Sequence, residues 1–224
     1  KVMIKFALKL FNDINMKPKN MKAFAVGACL LFIFLAITLA ETAGIFSAFD
    51  PAIVNFLQSG SSRSIDVPLS IFSLLGSFEF TSIMILILGI IIFRKKKIIY
   101  YPLALFAAIL VFEFIGKIFL YHPGPPSDYF RYTLPFSFPT SHVQTKFSFP
   151  SGHVSRTIFV AVTAAFFGLK FMSKRKSALF LLFWILFSLI MVVSRVYLGE
   201  HWASDTIGGV LLGGAMGFFA IMYF

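Results

Sequence analysis

The sequence has little of what a soluble protein carries on its surface: charged residues make up 13% of its 224 residues, while hydrophobic residues make up 58%. Its single cysteine, Cys29, lies within an apolar run, which excludes a disulfide framework and a thiolate metal site. The four histidines and nine acidic residues show no zinc-ligand spacing. This composition excludes a soluble globular protein and indicates a polytopic membrane protein.

Long apolar runs fill most of the chain, and their lengths are close to the about 20 residues that a helix needs to cross a bilayer. We predict an all-α fold, with a six-helix transmembrane bundle in residues 23–224. A basic amphipathic helical segment, residues 1–22, precedes the bundle. A short surface helix is predicted at 51–58, and the predicted spans are 23–40, 69–93, 98–121, 153–171, 178–198 and 202–224.

Basic residues outnumber acidic residues and give the chain a formal net charge of +11. They cluster beside the apolar runs and do not alternate with aromatic residues, so the charge does not indicate nucleic-acid binding. Of the 20 Lys and Arg residues, six lie in residues 1–22, four in 94–97 and four in 170–176. With six spans, this distribution predicts that both termini are cytoplasmic and that the loops 41–68, 122–150 and 199–202 face outward.

One predicted span begins in an unusual way, with the sequence Phe-Pro-Ser-Gly-His-Val at 149–154. The first N–H groups of a helix lack intrahelical partners and attract anions. Ser151 and Gly152 let an anion approach the backbone, and His153 places a titratable group beside it. An ordinary helix start, with Ser151 as its N-cap, fits the same residues.

Two further segments carry polar residues at the same predicted face of the bundle. His201 and Asp205 are four residues apart, so the carboxylate can accept a hydrogen bond from Nδ1 and leave Nε2 as a nucleophile. Arg195 offers a planar cationic fork for phosphate oxygens, and Lys117 lies near the outer end of its span. Two histidines, two cations and a helix N-terminus predict a phosphoryl-transfer site, at which one histidine attacks phosphorus and the other protonates the leaving alkoxide.

These segments resemble the type 2 phosphatidic acid phosphatase family, whose motifs include Pro-Ser-Gly-His and Ser-Arg-x5-His-x3-Asp. The chain has the first motif at 150–153 and the second at 194–205, and the resemblance extends from about residue 69 onward. It implies that His201 forms a phosphohistidine, that Asp205 orients His201, and that no metal cofactor is needed. It implies that His153 protonates the departing alcohol and later activates water. It also implies phosphate-binding roles for Lys117, Ser151, Gly152 and Arg195.

The chain departs from the family's remaining motif, Lys-x6-Arg-Pro. Lys117 matches that motif, but Gly124 stands where it has arginine. Loss of a guanidinium that neutralises phosphate charge costs on the order of several kcal/mol of transition-state stabilisation. A replacement is expected among the nearby cations, and a charge one turn into a membrane span is otherwise expensive. The candidates are Arg131, Lys146 and Arg156, and Arg156 is the charged residue that lies one turn into a span.

Other polar residues support no single interpretation. Glu79 is expected in the middle of the second span, where a carboxylate is a functional candidate. Glu113 lies one turn before Lys117 and is expected either to pair with it or to act in catalysis. His122 and His142 are expected at the surface of the outward loop.

The last span carries a glycine repeat, Gly209-xxx-Gly213-xxx-Gly217. Small residues at this spacing permit close contact between helices. We predict that the repeat packs within the bundle, with homodimerisation as the alternative.

The resemblance implies an integral-membrane enzyme that hydrolyses a lipid phosphate or pyrophosphate, of the polyprenyl pyrophosphate, phosphatidylglycerol phosphate or phosphatidic acid class. A lipid phosphotransferase would use the same residues and pass the phosphate to a second lipid. A weakly active or non-catalytic lipid-binding homologue is the third hypothesis, which Gly124 favours. The expected partners are the bilayer and its lipid substrate, and the site is expected on the extracytoplasmic side of the plasma or inner membrane. The oligomeric state does not follow from the sequence.

Overall fold

The computed structural model describes residues 20–95, 100–138, 147–222 and 224 of the chain. Nearly all of the predicted N-terminal amphipathic segment, residues 1–22, lies outside these residues, as do His142 and Lys146. The loop 122–150 is described on both sides of the gap at 139–146.

Eight α-helices make up most of the described residues, and no strand occurs among them. They are α1 (Met21–Thr42), α2 (Phe49–Gln58), α3 (Arg63–Ser73), α4 (Phe78–Lys95), α5 (Tyr100–Phe119), α6 (Gly152–Phe171), α7 (Lys174–Tyr197) and α8 (Ala203–Ile221). In the described part of the chain α1, α5, α6, α7 and α8 are long and apolar enough to cross a membrane, and α3 and α4 together make a sixth span if they count as one. The predicted all-α membrane bundle is confirmed.

The second predicted span, 69–93, is not one straight helix. α3 passes through Pro68 and ends in a 3-10 turn at Leu74–Gly76, and the chain then bends by 48° into α4. The hydroxyls of Ser70 and Ser73 donate to backbone carbonyls of the preceding turn, an arrangement that often bends helices. Glu79 lies in the first turn of α4, just after this bend, so it is near the middle of the span if α3 and α4 count as one.

α8 packs closely on α6 through its glycine repeat. A Cβ on Gly209 would lie 2.7 Å from the carbonyl oxygen of Ser151, and one on Gly217 would lie 2.8 Å from Cβ of Val162. Gly213 meets the backbone of α6 between these points. Larger residues would therefore force the two helices apart, and the predicted use of the repeat within the bundle is confirmed.

The two ends of the bundle are closed in different ways. At one end the start of α1 meets the end of α8, where the N–H of Asn20 donates to the carbonyl oxygen of Met222 at 3.0 Å. At the other end α2 packs on α7 and α8, with Val54 buried against Val196 and Ala203. The helix predicted at 51–58 is confirmed, but it covers an end of the bundle and is not confined to the surface. The polar residues at 113–125, 151–156 and 194–205 lie at or near this covered end.

Candidate active site

His201 lies between α7 and α8, and Asp205 lies in the first turn of α8. Nδ1 of His201 is 3.2 Å from Oδ2 of Asp205, which also accepts a hydrogen bond from the backbone N–H of Trp202 at 3.0 Å. Both side chains are buried. Burial lowers the pKa of His201 below its usual value, although Asp205 opposes the shift, so the ring is neutral at neutral pH. The structure thus brings together the two residues that the sequence spacing pairs.

The start of α6 is tied to α8 at the same end of the bundle. The N–H of Ser151 donates to the carbonyl oxygen of Asp205 at 3.0 Å. The hydroxyl of Ser151 does not cap the helix; it is buried and has no hydrogen-bond partner among the described residues. An ordinary N-cap therefore does not account for this serine, and its hydroxyl is available to a ligand.

His153, two residues further along, lies in the electrostatic field of several side chains of the site. They are Arg195, Arg156, His201 and Lys117.

Glu113 joins two of these cations directly beside Gly152. Its Oε1 accepts a hydrogen bond from Nζ of Lys117 at 2.9 Å, and its Oε2 contacts Nη1 of Arg156. A Cβ built on Gly152 would overlap the Glu113 carboxylate. The predicted pair of Glu113 and Lys117 is confirmed, with Arg156 as a third member. The anion that lies against the backbone of Gly152 here is a carboxylate of the protein itself.

The other candidate cations have different surroundings. Arg195 is buried near the end of α7 and contacts Glu200 through Nη2, while its Nε has no hydrogen-bond partner among the residues that are described. Arg131 is bound through Nε and Nη2 to the two carboxylate oxygens of Asp66, each at 3.0 Å. Both guanidiniums are paired with a carboxylate, but only the partner of Arg156, Glu113, lies against Gly152, and Arg156 also acts electrostatically on the His153 ring.

The segment that carries Gly124 lies against the site. The carbonyl oxygen of Pro123 accepts a hydrogen bond from the indole N–H of Trp202 at 2.8 Å. The backbone of Gly124 is not in the left-handed region, and a Cβ there would lie 3.5 Å from Cβ of Ser148, an ordinary van der Waals distance. An arginine Cβ therefore fits at this position without displacing the backbone.

His122 is a site residue that sequence reasoning missed. It was expected at the surface, but its side chain is 14% exposed, with Nδ1 lying 2.6 Å from Oε1 of Glu41 and Nε2 lying 3.2 Å from Oδ1 of Asp205. Burial opposes a charge on this ring, but Asp205 and Glu41 outweigh it and raise the pKa of His122 to about 10. Its position at the outer end of a span was the one available signal, since no local pattern links it to Glu41.

Glu41, Asp50 and His122 form a polar cluster behind Asp205, with ligand atoms within 4.8 Å of one another. Both carboxylate oxygens of Asp50 accept hydrogen bonds from Ser204, at 2.9 and 2.7 Å. Burial raises the pKa of Asp50, these hydrogen bonds oppose the shift, and the charges of Glu41 and Asp205 add to it. Two carboxylates and an imidazole are also a donor set that a divalent cation can use.

Comparisons with known proteins agree with this architecture. The family model described as the PAP2 superfamily matches residues 97–224. The chain is similar to the first transmembrane PAP2 type phosphatidylglycerolphosphate phosphatase from Bacillus subtilis, with a TM-score of 0.71 and 24% identity over 87% of this chain and 93% of that one. It is also similar to LpxE of Aquifex aeolicus, with a TM-score of 0.59 and 21% identity over 78% of this chain and 95% of that one. A search of curated proteins found no match.

Proposed function

The chain belongs to the PAP2 superfamily, and from that premise we propose that it is a membrane phosphatase that hydrolyses a lipid phosphate or pyrophosphate. The observation that carries the proposal is the buried contact between His201 and Asp205, at the end of the bundle where Arg195, Arg156 and Lys117 act electrostatically on His153. A neutral imidazole held by a carboxylate is a nucleophile, and buried cations favour an anionic substrate. The similarity to a phosphatidylglycerolphosphate phosphatase supports a lipid phosphate as that substrate.

We propose a reaction in two displacements. Nε2 of His201 attacks phosphorus while the bond to the lipid oxygen breaks, and His153 donates a proton to that oxygen. Water then attacks the phosphohistidine, His153 takes the proton of the water, and the phosphorus–nitrogen bond breaks to release phosphate and restore His201. Asp205 keeps the other ring proton of His201 on Nδ1 and stabilises the positive charge that develops on the ring.

The phosphate oxygens have several donors in this arrangement. The hydroxyl of Ser151 and Nε of Arg195 are buried without hydrogen-bond partners among the described residues, and buried donors of this kind are normally satisfied. We assign both to the phosphate, together with the backbone at the start of α6, which begins at Gly152. Lys117 supplies a further positive charge from the end of α5.

We further propose that the site faces the extracytoplasmic side and that both termini are cytoplasmic. Lys22 at the start of α1 lies at the end of the bundle away from His201. The positive-inside rule assigns the cytoplasmic side to Lys22 and to the basic runs that the sequence has at 94–97 and 174–176. A site at the ends of the spans is level with lipid headgroups, so a substrate can reach it without leaving the bilayer. The candidate substrates are polyprenyl pyrophosphate, phosphatidylglycerol phosphate and phosphatidic acid.

The full-length protein in detergent, incubated with each of these lipids in turn, tests the proposal. We expect inorganic phosphate to be released from at least one of them. Transfer of labelled phosphate to a second lipid, with no free phosphate, would identify a phosphotransferase instead. A protein that binds these lipids but turns none of them over would be a non-catalytic homologue, which Gly124 alone favours.

The replacement cation is tested by matched substitutions of Arg156 and Arg131, since each guanidinium forms an ion pair with a carboxylate. Arg156→Gln should lower kcat/KM by about 10- to 100-fold, because it removes a positive charge beside the reacting phosphate. Arg131→Gln should lower thermal stability and leave kcat/KM nearly unchanged. Initial rates and melting temperatures of the two variants distinguish these effects.

Adding Gly124→Arg to the Arg156→Gln variant should restore part of the lost activity, because position 124 accepts a side chain without a steric clash. Equal losses of kcat/KM in Arg156→Gln and Arg131→Gln would contradict the assignment of Arg156, as would full activity in both.

A further inference from the structure

The carboxylate of Asp205 lies between two imidazole rings. Its Oδ2 is 3.2 Å from Nδ1 of His201, and its Oδ1 is 3.2 Å from Nε2 of His122. Asp205 has no exposed surface, and its Oδ1 makes no regular hydrogen bond with any described residue. His122 is therefore the ionic partner of Oδ1 in the described part of the chain, and it stabilises that oxygen through charge.

A second carboxylate holds the other nitrogen of His122. Nδ1 of the ring lies 2.6 Å from Oε1 of Glu41, which is buried in the last turn of α1. An imidazole between two carboxylates donates through both nitrogens only when it is protonated. The negative charge around it is large, because Asp50 adds a third buried carboxylate to Glu41 and Asp205. A cationic ring at this place offsets part of the cost of burying those charges.

We propose that His122 and Glu41 are positioning residues of the active site: Glu41 orients the ring of His122, and His122 holds the Asp205 carboxylate against His201. The inference rests on the proposed phosphatase function. Without the His122 ring, Oδ1 of Asp205 would lose its compensating charge, and the carboxylate would rotate or take up a proton. Either change weakens its hold on the Nδ1 proton of His201 and misdirects the nucleophile.

Glu41 lies outside residues 97–224, which the family model matches. α1 therefore contributes Glu41 to the site from outside the matched region. Replacement of Glu41 should affect catalysis although three successive contacts, through His122 and Asp205, separate this residue from His201.

The test compares steady-state kinetics of full-length variants on the lipid that the wild-type protein hydrolyses best. His122→Ala should lower kcat by about 10- to 100-fold with little change in KM, by analogy with the loss of a partner that orients a metal-bound histidine. Glu41→Gln should lower kcat by a smaller factor. The double variant should be no slower than His122→Ala, because Glu41 acts through His122. His122→Lys, which restores a cation between the carboxylates, should recover part of the activity.

Asp66→Asn is the matched control, because Asp66 is a buried carboxylate that pairs with Arg131 and Tyr197 and that, in the described part of the chain, forms no hydrogen bond or ion pair with His201 or Asp205. It should lower the melting temperature and leave kcat unchanged. An equal fall in kcat for Asp66→Asn and His122→Ala would indicate general loss of structure and overturn the inference. A rise in KM at constant kcat for His122→Ala would also overturn it, because that result indicates substrate binding, and so would an unchanged kcat.

Treatment with EDTA distinguishes positioning from a cation site. Unchanged kcat after EDTA agrees with the inference. A fall in wild-type kcat to the level of His122→Ala, reversed by Zn²⁺ or Mg²⁺, would show that Glu41, Asp50 and His122 hold a metal ion and would overturn it. Wild-type protein without phosphate release would refute the proposed function and this inference together, whereas an active wild type with an equally active His122→Ala variant refutes the inference alone.

Discussion

Replacing His201 with alanine should lower the rate of phosphate release by at least about 1000-fold, because the substitution removes the nucleophile of a covalent mechanism. His201 is the ring whose Nδ1 contacts Asp205. Burial lowers its pKa below the usual value, so the ring is neutral, and thus nucleophilic, at neutral pH. Among the residues that the structure describes, no carboxylate binds the His153 ring in this way, which suits an acid and base better than a nucleophile.

The covalent intermediate provides the measurement. Wild-type protein mixed rapidly with a ³²P-labelled substrate should carry label that is stable in base and lost in acid, as expected for a phosphohistidine, and His201→Ala should carry none. His153→Ala should become labelled when the substrate has a nitrophenolate leaving group, because that group departs without protonation. Labelling of His201→Ala, or rapid turnover by that variant, would contradict the mechanism. Matching melting temperatures exclude unfolding as the cause.

The positions of most helices follow from the sequence because apolar runs in a membrane protein end where charged residues or prolines begin. α5 ends shortly before His122 and Pro123, and α6 ends near Lys170, close to the predicted bounds. The break between α3 and α4 did not follow from the sequence, since residues around Leu74–Gly76 are as apolar as their neighbours. The turn packs against α7, where a Cβ on Gly76 would lie 2.8 Å from Sδ of Met191, so tertiary packing acts there together with the local hydrogen bonds of Ser70 and Ser73.

In the active site, too, the local contacts could be predicted from the sequence and the long-range contacts could not. The contact between His201 and Asp205 was predictable because residues four apart share a helical face. The contact between His122 and Glu41 was not, because it forms only when α1 packs beside the segment that follows α5. A single sequence does not show which histidine contacts which distant carboxylate, so the position of His122 at the outer end of a span did not identify Glu41 as its partner.

The structure gives Gly152 a second physical reason to be glycine, besides the one that the sequence predicts. The sequence attributes this glycine to the approach of a phosphate to the start of α6. In the structure the Glu113 carboxylate occupies the space that a Cβ of Gly152 would need. The glycine therefore permits an internal ion cluster, in which Glu113 holds Lys117 and Arg156 beside the helix start.

Replacing Gly152 with alanine should consequently lower the melting temperature strongly and abolish activity. The carboxylate of Glu113 is the end of a flexible side chain, but Lys117 and Arg156 hold it in place. Moving it away would leave two largely buried cations without their partner, and breaking a buried ion pair costs about 3–5 kcal/mol. Thermal unfolding in detergent and initial rates of phosphate release measure the two effects. Gly60→Ala is the control, since a Cβ there meets nothing within 4 Å.

A second substitution separates the two reasons for a glycine at position 152. If Glu113 is the obstacle, Glu113→Ala removes it, and the double variant Glu113→Ala/Gly152→Ala should be as stable as Glu113→Ala alone. Its affinity for inorganic phosphate should also match that of Glu113→Ala. If the glycine instead serves the approach of the substrate, Gly152→Ala alone should keep wild-type stability and lose phosphate affinity, and the same loss should appear in the Glu113→Ala background. The two reasons therefore predict different results for Gly152→Ala and for the double variant. An internal clash lowers the stability of Gly152→Ala, whereas a blocked anion site lowers phosphate affinity in both proteins.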